Sequence, residues 1–243
     1  MSDKESNEEP QIISLDQKLE ERFIKTGVEA VDDLIGGIPR GRITEVWGQE
    51  ATGKTHLVST ILANVSKDHK VLYVDTEFAL NRDRVKSLGA EIDNISYIAD
   101  SRLERVAELL VDSVGKYDLI VLDSLAYLTP TTIDNAEVGE NAIGLFARQI
   151  KHWVVKFRPR LGVSDTACIV VNQYRKPLGL YAKTESPGGA SFHHAVDVRL
   201  FLTTNSADKI TKAGVTVGHW VHIEVKKSKV SKPYIKTKFK LEY

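Results

Sequence analysis

The chain of 243 residues is 42% hydrophobic and 27% charged, and its formal net charge at pH 7 is zero. This composition is typical of a folded domain with enough apolar material for a buried core, and it argues against a generally basic, DNA-coating protein. The lone Cys168 excludes an internal disulfide, and neither a membrane-length apolar stretch nor a signal peptide is present, so we expect a cytoplasmic protein without a membrane partner.

The chain opens with an acidic, polar segment whose composition predicts partial disorder. Within it, residues 14–23 have the apolar spacing of a short helix, with Ser14 as N-cap and Phe23 at the end of the apolar face. We therefore predict an N-terminal arm over residues 1–24 that is available for a subunit contact. One core domain follows, over residues 25–243.

After the arm, short apolar runs alternate with segments of helical period. The predicted core strands are 43–47, 70–75, 95–99, 118–123 and 166–172. Two apolar runs in this set end in an acid, as strands buried on both faces of a parallel sheet do. The alternation predicts an α/β fold, a mostly parallel twisted sheet flanked by helices. An antiparallel C-terminal extension of this sheet is predicted from the strand-like segments 196–203, 217–226 and 234–242.

Two connections, 124–141 and 173–190, are longer than the loops that usually join elements in a compact domain. Both leave the carboxyl ends of predicted parallel strands. Open α/β sheets bind their ligands at that edge. We therefore expect both connections to lie on the ligand-binding side of the domain.

A complete phosphate-binding motif, G-x-x-x-x-G-K-[ST], lies between a predicted strand and a predicted helix. Its glycines allow consecutive N–H groups and the positive end of the helix to face one anion. Lys54 is expected to reach the outer phosphates, and the Thr55 hydroxyl to bind Mg²⁺. The residues expected to contact the nucleotide here are Gly48, Gln49, Glu50, Ala51, Thr52, Gly53, Lys54, Thr55 and His56.

Two acids follow predicted strands at the same edge of the sheet. Asp123 ends an apolar run, which is where a carboxylate orients Mg²⁺ through its water shell. Glu77 follows the strand that ends at Asp75 and would lie near the γ-phosphate, where a base can polarise an attacking water. From the residues alone, an ordinary surface glutamate remains an open alternative for Glu77.

Several segments, in this order along the chain, resemble bacterial RecA recombinases. They are residues 26–28, 36–43, 74–80, 123–130, 144–148, 172–175 and 188–189. The resemblance runs from about residue 25 to the C-terminus and covers the family's core only. It implies a RecA-type P-loop ATPase core, compact like those of phages, viruses and plasmids.

The resemblance assigns roles to residues near the phosphate loop. It implies that Glu77 is the catalytic base and that Gln173 senses the γ-phosphate. Arg84 occupies the position of the family's adenine-stacking tyrosine, and its planar guanidinium can also stack. Lys227 and Lys229 correspond to two lysines that reach the ATP of the adjacent subunit, although a run of lysines is also typical of a solvated strand face.

The two long connections are similar to the family's DNA-binding loops. Basic side chains there can bind DNA phosphates, tyrosines can stack on bases, and glycines at a helix start can expose N–H groups. The residues expected to contact DNA are Arg148, Tyr174, Arg175, Lys176, Tyr181, Lys183, Gly188 and Gly189.

The resemblance thus implies a Mg²⁺-dependent ATPase that forms a helical homo-oligomeric filament on single-stranded DNA. Such a filament pairs with homologous double-stranded DNA and promotes strand exchange. Two alternatives stay open: a recombination mediator or paralogue that uses ATP as an assembly switch, and a non-recombinase ATPase on the same core. DNA-stimulated ATP turnover and long filaments distinguish the recombinase from both alternatives.

Overall fold

A computed structural model of the chain describes residues 22–131, 141–174 and 185–242. The described helices are α1 (Glu29–Ile35), α2 (Lys54–Val65), α3 (Arg82–Ser87), α4 (Leu103–Ser113), α5 (Asn141–Gly162) and α6 (Gly189–Ala195). The described strands are β1 (Phe23–Ile24), β2 (Ile38–Pro39), β3 (Ile43–Gly48), β4 (Val71–Asp75), β5 (Ile95–Ala99), β6 (Leu119–Asp123), β7 (Ala167–Gln173), β8 (Val198–Thr203), β9 (Lys209–Lys212), β10 (Val215–Ser228) and β11 (Lys236–Glu242).

Nine of the described strands form one sheet in the order β11-β10-β8-β3-β7-β6-β4-β5, with β9 paired to β10. The strands from β8 to β5 in this order run parallel to their neighbours. The pairs of β10 with β8, β9 and β11 are antiparallel. The predicted α/β fold, with its parallel sheet and antiparallel C-terminal extension, is therefore confirmed.

The prediction was wrong about where the antiparallel extension begins. The segment 196–203 was assigned to it, but β8 pairs in parallel with β3, so that Thr44 lies opposite Val198. Alternating burial along β8 gives no information about strand direction, because period 2 is common to both kinds of pairing. Strand β9 was also missed; its exposed, lysine-flanked sequence has no apolar face to detect.

The predicted helix over residues 14–23 was wrong at its last residue. Phe23 belongs to β1, where it pairs with Pro39, and its ring lies 3.7 Å from the position of a Cβ built on Gly36. The backbone of residue 22 also accepts a hydrogen bond from Arg40 N at 2.8 Å. Residues 14–21 lie outside the described residues. Helical spacing in a sequence carries no information about such a distant pairing partner.

Helices cover both faces of the parallel part of the sheet. One apolar cluster joins α1 and α2 to the sheet, and the other joins α4, α5 and α6 to its opposite face. Every residue of β3, β4 and β6 is consequently buried. This explains why their apolar runs are continuous rather than alternating.

Two features bear on the expected environment of the protein. Cys168 lies fully buried in β7, and this burial raises the pKa of its thiol well above the ordinary value. Cys168 is therefore a small buried hydrophobic residue rather than a reactive nucleophile. Within the described ranges, no helix is both long and apolar enough to cross a membrane.

Strand register brings the predicted nucleotide residues to one edge of the sheet. Gly48, the last residue of β3, lies opposite Gln173, and Asp75 lies opposite Asp123. All four residues end parallel strands, so their side chains and the loops that follow them share the carboxyl edge. Lys227 instead pairs with Arg199, near the amino end of β8.

A buried ion pair in the middle of the sheet holds the end of the second long connection. Glu45 in β3 is fully buried and forms a salt bridge with Arg199, whose guanidinium lies 4.9 Å from the centre of the Trp47 ring. The other Glu45 carboxylate oxygen accepts hydrogen bonds from the Asn172 amide, at 2.9 Å, and from the Ser186 hydroxyl. The chain after the second connection is thereby tied to β3 and β7.

We predict that Arg199→Met lowers the free energy of unfolding by about 3–5 kcal/mol, because it leaves the Glu45 carboxylate buried without its cation. Urea unfolding followed by circular dichroism measures this change. Arg22→Met is the matched control, because the Arg22–Asp165 pair is exposed and its loss should cost no more than about 1 kcal/mol. Equal losses in the two variants would contradict the assignment.

Candidate nucleotide-binding site

The phosphate loop connects β3 to α2 in a conformation fixed by its own backbone. Gly53 has a φ of 84° and caps α2, and Ala51 has a φ of 58°. The Thr52 hydroxyl donates a hydrogen bond to the carbonyl of Gln49 at 2.8 Å. The positive φ of residue 53 favours glycine, and a Cβ there would lie 2.5 Å from Cδ1 of Leu241, so β11 packs closely on the loop.

Lys54 closes the loop on itself. Its ammonium donates hydrogen bonds to the carbonyls of Gly48 at 3.1 Å and Gln49 at 2.7 Å. Burial lowers the pKa of Lys54, while the nearby carboxylates of Glu77 and Asp123 act in the opposite direction. The ammonium therefore lies near the carboxylates of Glu77 and Asp123. A phosphate group can replace the two carbonyls as its hydrogen-bond partner.

Asp123 has two oxygens with different surroundings. Its Oδ2 accepts a hydrogen bond from the Tyr73 hydroxyl at 2.7 Å, whereas its buried Oδ1 has no hydrogen-bond partner among the described residues. The pKa of Asp123 is raised to about 6, mainly by burial and also by the charges of Glu77 and Asp75, against the lowering effects of the Tyr73 hydrogen bond and the Lys54 charge. A buried acceptor oxygen without a donor fits the water shell of a hard cation such as Mg²⁺.

Glu77 is anchored on the turn after β4. Its N–H donates to Asp75 Oδ1 at 3.0 Å, and the N–H of Leu80 donates to Asp75 Oδ2 at 2.9 Å. The Ser124 hydroxyl donates to Oε1 of Glu77 at 2.6 Å. The Ser124 contact therefore restrains the Glu77 carboxylate next to the end of β6.

Thr76 ties the ends of β4 and β6 together. Its hydroxyl donates to the carbonyl of Ser124 at 2.7 Å and accepts from Ser124 N at 2.8 Å. The N–H of Thr76 also donates to the carbonyl of Asp123 at 2.7 Å. The two acids of the site are therefore held on neighbouring strands by three short hydrogen bonds, two of them through one fully buried serine.

Gln173 lies beside the first residue of the phosphate loop. It is the last residue of β7, opposite Gly48, and its N–H donates to the side chain of Asn172 at 3.0 Å. The next residue, Tyr174, donates its N–H to the carbonyl of Gly48 at 3.0 Å. The start of the second long connection thus contacts the phosphate loop directly.

The structure brings together two further residues predicted to contact the nucleotide. The Arg84 guanidinium contacts Nδ1 of His56, the residue after Thr55. Burial lowers the pKa of His56, and the Arg84 charge lowers it further, which favours the neutral imidazole as acceptor. Arg84 lies in α3, whose first turn is capped by the Asn81 side chain.

Lys227 and Lys229 do not join this group of residues. The Lys227 ammonium donates to the carbonyls of His193 at 2.7 Å and His194 at 3.2 Å, at the end of α6. The Lys229 ammonium lies 3.1 Å from Oδ1 of the buried Asp197. Lys227 therefore contacts the last turn of α6, and Lys229 contacts the short segment between α6 and β8. Both lie near the amino end of β8, whereas the phosphate loop follows the carboxyl end of β3.

The predicted DNA-binding residues are only partly described. Arg175, Lys176, Tyr181 and Lys183 lie outside the described residues. Arg148 is exposed on α5, as its place in the helix after the first long connection predicts. Tyr174 stacks on Phe201 of β8, with ring centres 6.3 Å apart.

The glycines that end the second connection have a packing role. A Cβ at Gly188 would lie 2.8 Å from the Phe192 ring and 3.0 Å from Cδ2 of Leu125. A Cβ at Gly189 would lie 3.4 Å from that of Ala147 in α5. Since Leu125 follows Asp123, these glycines let the described ends of both long connections meet.

Three residues near the site were missed by the sequence analysis: Tyr73, Ser124 and Leu241. Tyr73 was detectable as one polar-tipped side chain in an otherwise aliphatic strand. Ser124 follows the recognised acid, but its contact with Glu77 depends on the turn after β4. Leu241 has no local signal, because its contact with Gly53 joins residues far apart in the sequence.

Comparisons with known proteins identify similar chains. The family model described as RecA N-terminal domain matches residues 6–243. The chain is 34% identical to Protein RecA of Aquifex aeolicus over 237 residues, which cover 93% of this chain and 67% of that protein. It is 35% identical to Protein RecA of Streptomyces coelicolor over 228 residues, or 90% and 60% of the two chains. For Protein RecA of Clostridium acetobutylicum the identity is 33% over 228 residues, or 90% and 64%. The chain therefore spans about three fifths to two thirds of these relatives' length.

We predict that Asp123→Asn raises the free energy of unfolding of the nucleotide-free protein at pH 7.5 by roughly 1–3 kcal/mol, because the ionised carboxylate is costly to bury. The pKa of Asp123 is higher in the folded than in the unfolded chain, so wild type takes up a proton as the pH falls through about 6. The advantage of the variant should therefore shrink below pH 6 and vanish near pH 4.

Urea unfolding at several pH values measures this difference. The matched control is Asp112→Asn, an exposed carboxylate on α4, which should change stability by no more than about 0.5 kcal/mol. An Asp123→Asn variant less stable than wild type at pH 7.5 would show that the carboxylate stabilises the fold.

Proposed function

This chain belongs to the RecA family, and on that premise we propose that it is an ATP-dependent recombinase. It binds MgATP, assembles as a homo-oligomeric filament on single-stranded DNA, and pairs that strand with homologous double-stranded DNA. The observation that carries the proposal is the convergence of Lys54, Glu77 and Asp123 at one sheet edge, with Gln173 beside the phosphate loop. Nucleotide chemistry and the start of the proposed DNA loop are thus adjacent.

In the proposed mechanism, the loop N–H groups and Lys54 bind the phosphates of ATP. The Thr55 hydroxyl and Asp123 would hold Mg²⁺, which would supply positive charge to neutralise the phosphates. Glu77 accepts a proton from the attacking water, whose oxygen bonds to the γ-phosphorus as the bond to the β-phosphate oxygen breaks. Ser124 keeps the Glu77 carboxylate oriented for this step.

Gln173 is proposed to link the nucleotide to DNA. The hydrogen bond from Tyr174 N to the carbonyl of Gly48 supports this link, since it joins the second connection to the loop. We propose that residues 174–189, with Arg175, Lys176, Tyr181 and Lys183, bind DNA when the γ-phosphate is present. Arg148, from the helix after the first connection, adds positive charge.

Lys227 and Lys229 are proposed to act on the ATP of an adjacent subunit. The register supports this, because Lys227 pairs with Arg199, itself opposite Glu45, about 10 Å along β3 from Gly48. The lysines therefore lie toward the amino ends of the parallel strands, away from the carboxyl edge that carries the phosphate loop of their own subunit. Hydrolysis would then require assembly, in which the arm over residues 1–24 is a further proposed contact.

We predict that Glu77→Gln reduces DNA-stimulated ATP turnover by about 10²–10⁴-fold, because the general base is removed, while ATP binding changes little. Phosphate release with and without single-stranded DNA measures turnover, and a fluorescent ATP analogue measures binding. Glu91→Gln, at an exposed position outside the site, is the control. Turnover that ignored both DNA and this substitution would refute the recombinase and its mechanism. ATP binding and assembly without DNA-stimulated turnover would instead favour a mediator.

We predict that Lys54→Arg and Lys227→Met proteins, each nearly inactive alone, recover activity when mixed on single-stranded DNA. Finger residues supplied by a neighbouring subunit raise the rate about 10³–10⁵-fold. In a random equal mixture, about one subunit junction in four pairs an intact phosphate loop with an intact Lys227. Recovery of about a quarter of wild-type turnover is expected. Lys116→Met, at an exposed lysine, is the control for diluting one variant with a second protein, and it should retain full activity alone. A mixture no more active than its components would contradict action between subunits.

A further inference from the structure

Tyr73 brings a hydroxyl into the centre of the nucleotide site from within a buried strand. It is the middle residue of β4 and is 1% exposed. It lies opposite Val121 of β6, and Asp75 lies opposite Asp123. Tyr73 and Asp123 are therefore diagonal neighbours on one face of the parallel pair, within reach of a long side chain.

The hydroxyl makes the two oxygens of Asp123 unequal. The hydrogen bond from the Tyr73 hydroxyl, 2.7 Å long, occupies Oδ2. Within the described residues Oδ1 has no donor, although it is buried away from water. A carboxylate with a free rotation about its last bond could present either oxygen. With Oδ2 bound to Tyr73, Oδ1 is the oxygen that keeps both of its acceptor positions for a ligand.

We propose that Tyr73 is a positioning residue for the magnesium site: its hydroxyl holds the Asp123 carboxylate so that Oδ1 alone faces the metal's water shell. The proposal rests on the proposed MgATP function and deepens it. Tyr73 itself does not touch the nucleotide or the reacting atoms. It acts through Asp123, as partners behind a metal-binding group commonly do.

A purely structural role for the hydroxyl makes a different prediction. If Tyr73 only satisfies a buried acceptor, its removal lowers stability and leaves the magnesium requirement unchanged. If it positions Asp123, its removal weakens the response to magnesium even where the protein is fully folded. The magnesium concentration needed for nucleotide binding therefore separates the two roles without any reference to catalytic rate.

The test is Tyr73→Phe, which removes one oxygen and keeps the buried ring. A fluorescent ATP analogue is titrated at fixed protein concentration over a series of Mg²⁺ concentrations, and the half-saturating Mg²⁺ concentration is read. We expect this concentration to rise about 10-fold, the lower end of effects seen when such partners are removed. In an Asp123→Asn background, Tyr73→Phe should add nothing, because its target carboxylate is gone.

Tyr117→Phe is the matched control, since it removes a hydroxyl bound to Ser96 Oγ at 3.1 Å, away from the site. An unchanged magnesium requirement in folded Tyr73→Phe, or an undiminished effect in the Asp123→Asn background, overturns the proposal. Wild type that binds the analogue with no magnesium dependence refutes the proposed MgATP function itself. Should Tyr73→Phe fail to fold, 3-fluorotyrosine is placed at residue 73, which changes the acidity of the hydroxyl in an intact core. A shifted half-saturating Mg²⁺ concentration then supports the proposal, and an unchanged one overturns it.

Discussion

The parallel pairing of β3, β4, β6 and β7 is the constraint on which the candidate site depends. Register places Gly48 opposite Gln173 and Asp75 opposite Asp123, so four residues from distant parts of the sequence end at one edge. A slip of one residue would turn every side chain of a strand to the other face. The strand register therefore fixes the relative positions of the candidate site residues and of the points where the loops begin.

Burial of carboxylates in this sheet is costly, and the described carboxylates differ in the donors that they receive. Glu45 receives a cation and two further donors, and Asp75 receives two N–H groups and the Tyr97 hydroxyl. Among the described residues the Asp123 carboxylate receives one donor, the Tyr73 hydroxyl, and burial is the main reason that its pKa is elevated. The incompletely satisfied carboxylate is the one expected to meet a cation. Buried acids with complete hydrogen bonding stabilise the fold, and the incompletely bonded one is the proposed magnesium-site residue.

The sequence predicted the parts of this protein that repeat a local pattern. Continuous apolar runs identified β3, β4, β6 and β7 to within about one residue. The loop from Gly48 to Thr55 was recognisable from spacing alone, because glycine and lysine have physical roles there that few other residues can fill. Pairings between distant segments escaped prediction: the parallel direction of β8, the strand at Phe23 and the Tyr73–Asp123 contact. Local periodicity is the same whichever partner a strand finds.

The contact between Leu241 and Gly53 has a consequence for the order of events during synthesis. The phosphate loop leaves the ribosome early, whereas the strand that packs on it, β11, is the last described element to emerge. Val221 Cγ2, 3.4 Å from the position of a Cβ on Gly53, also arrives late. A nascent chain therefore carries a complete phosphate-binding sequence long before that loop acquires its final surroundings. The proposed nucleotide site therefore reaches its final packing only after translation has passed residue 241.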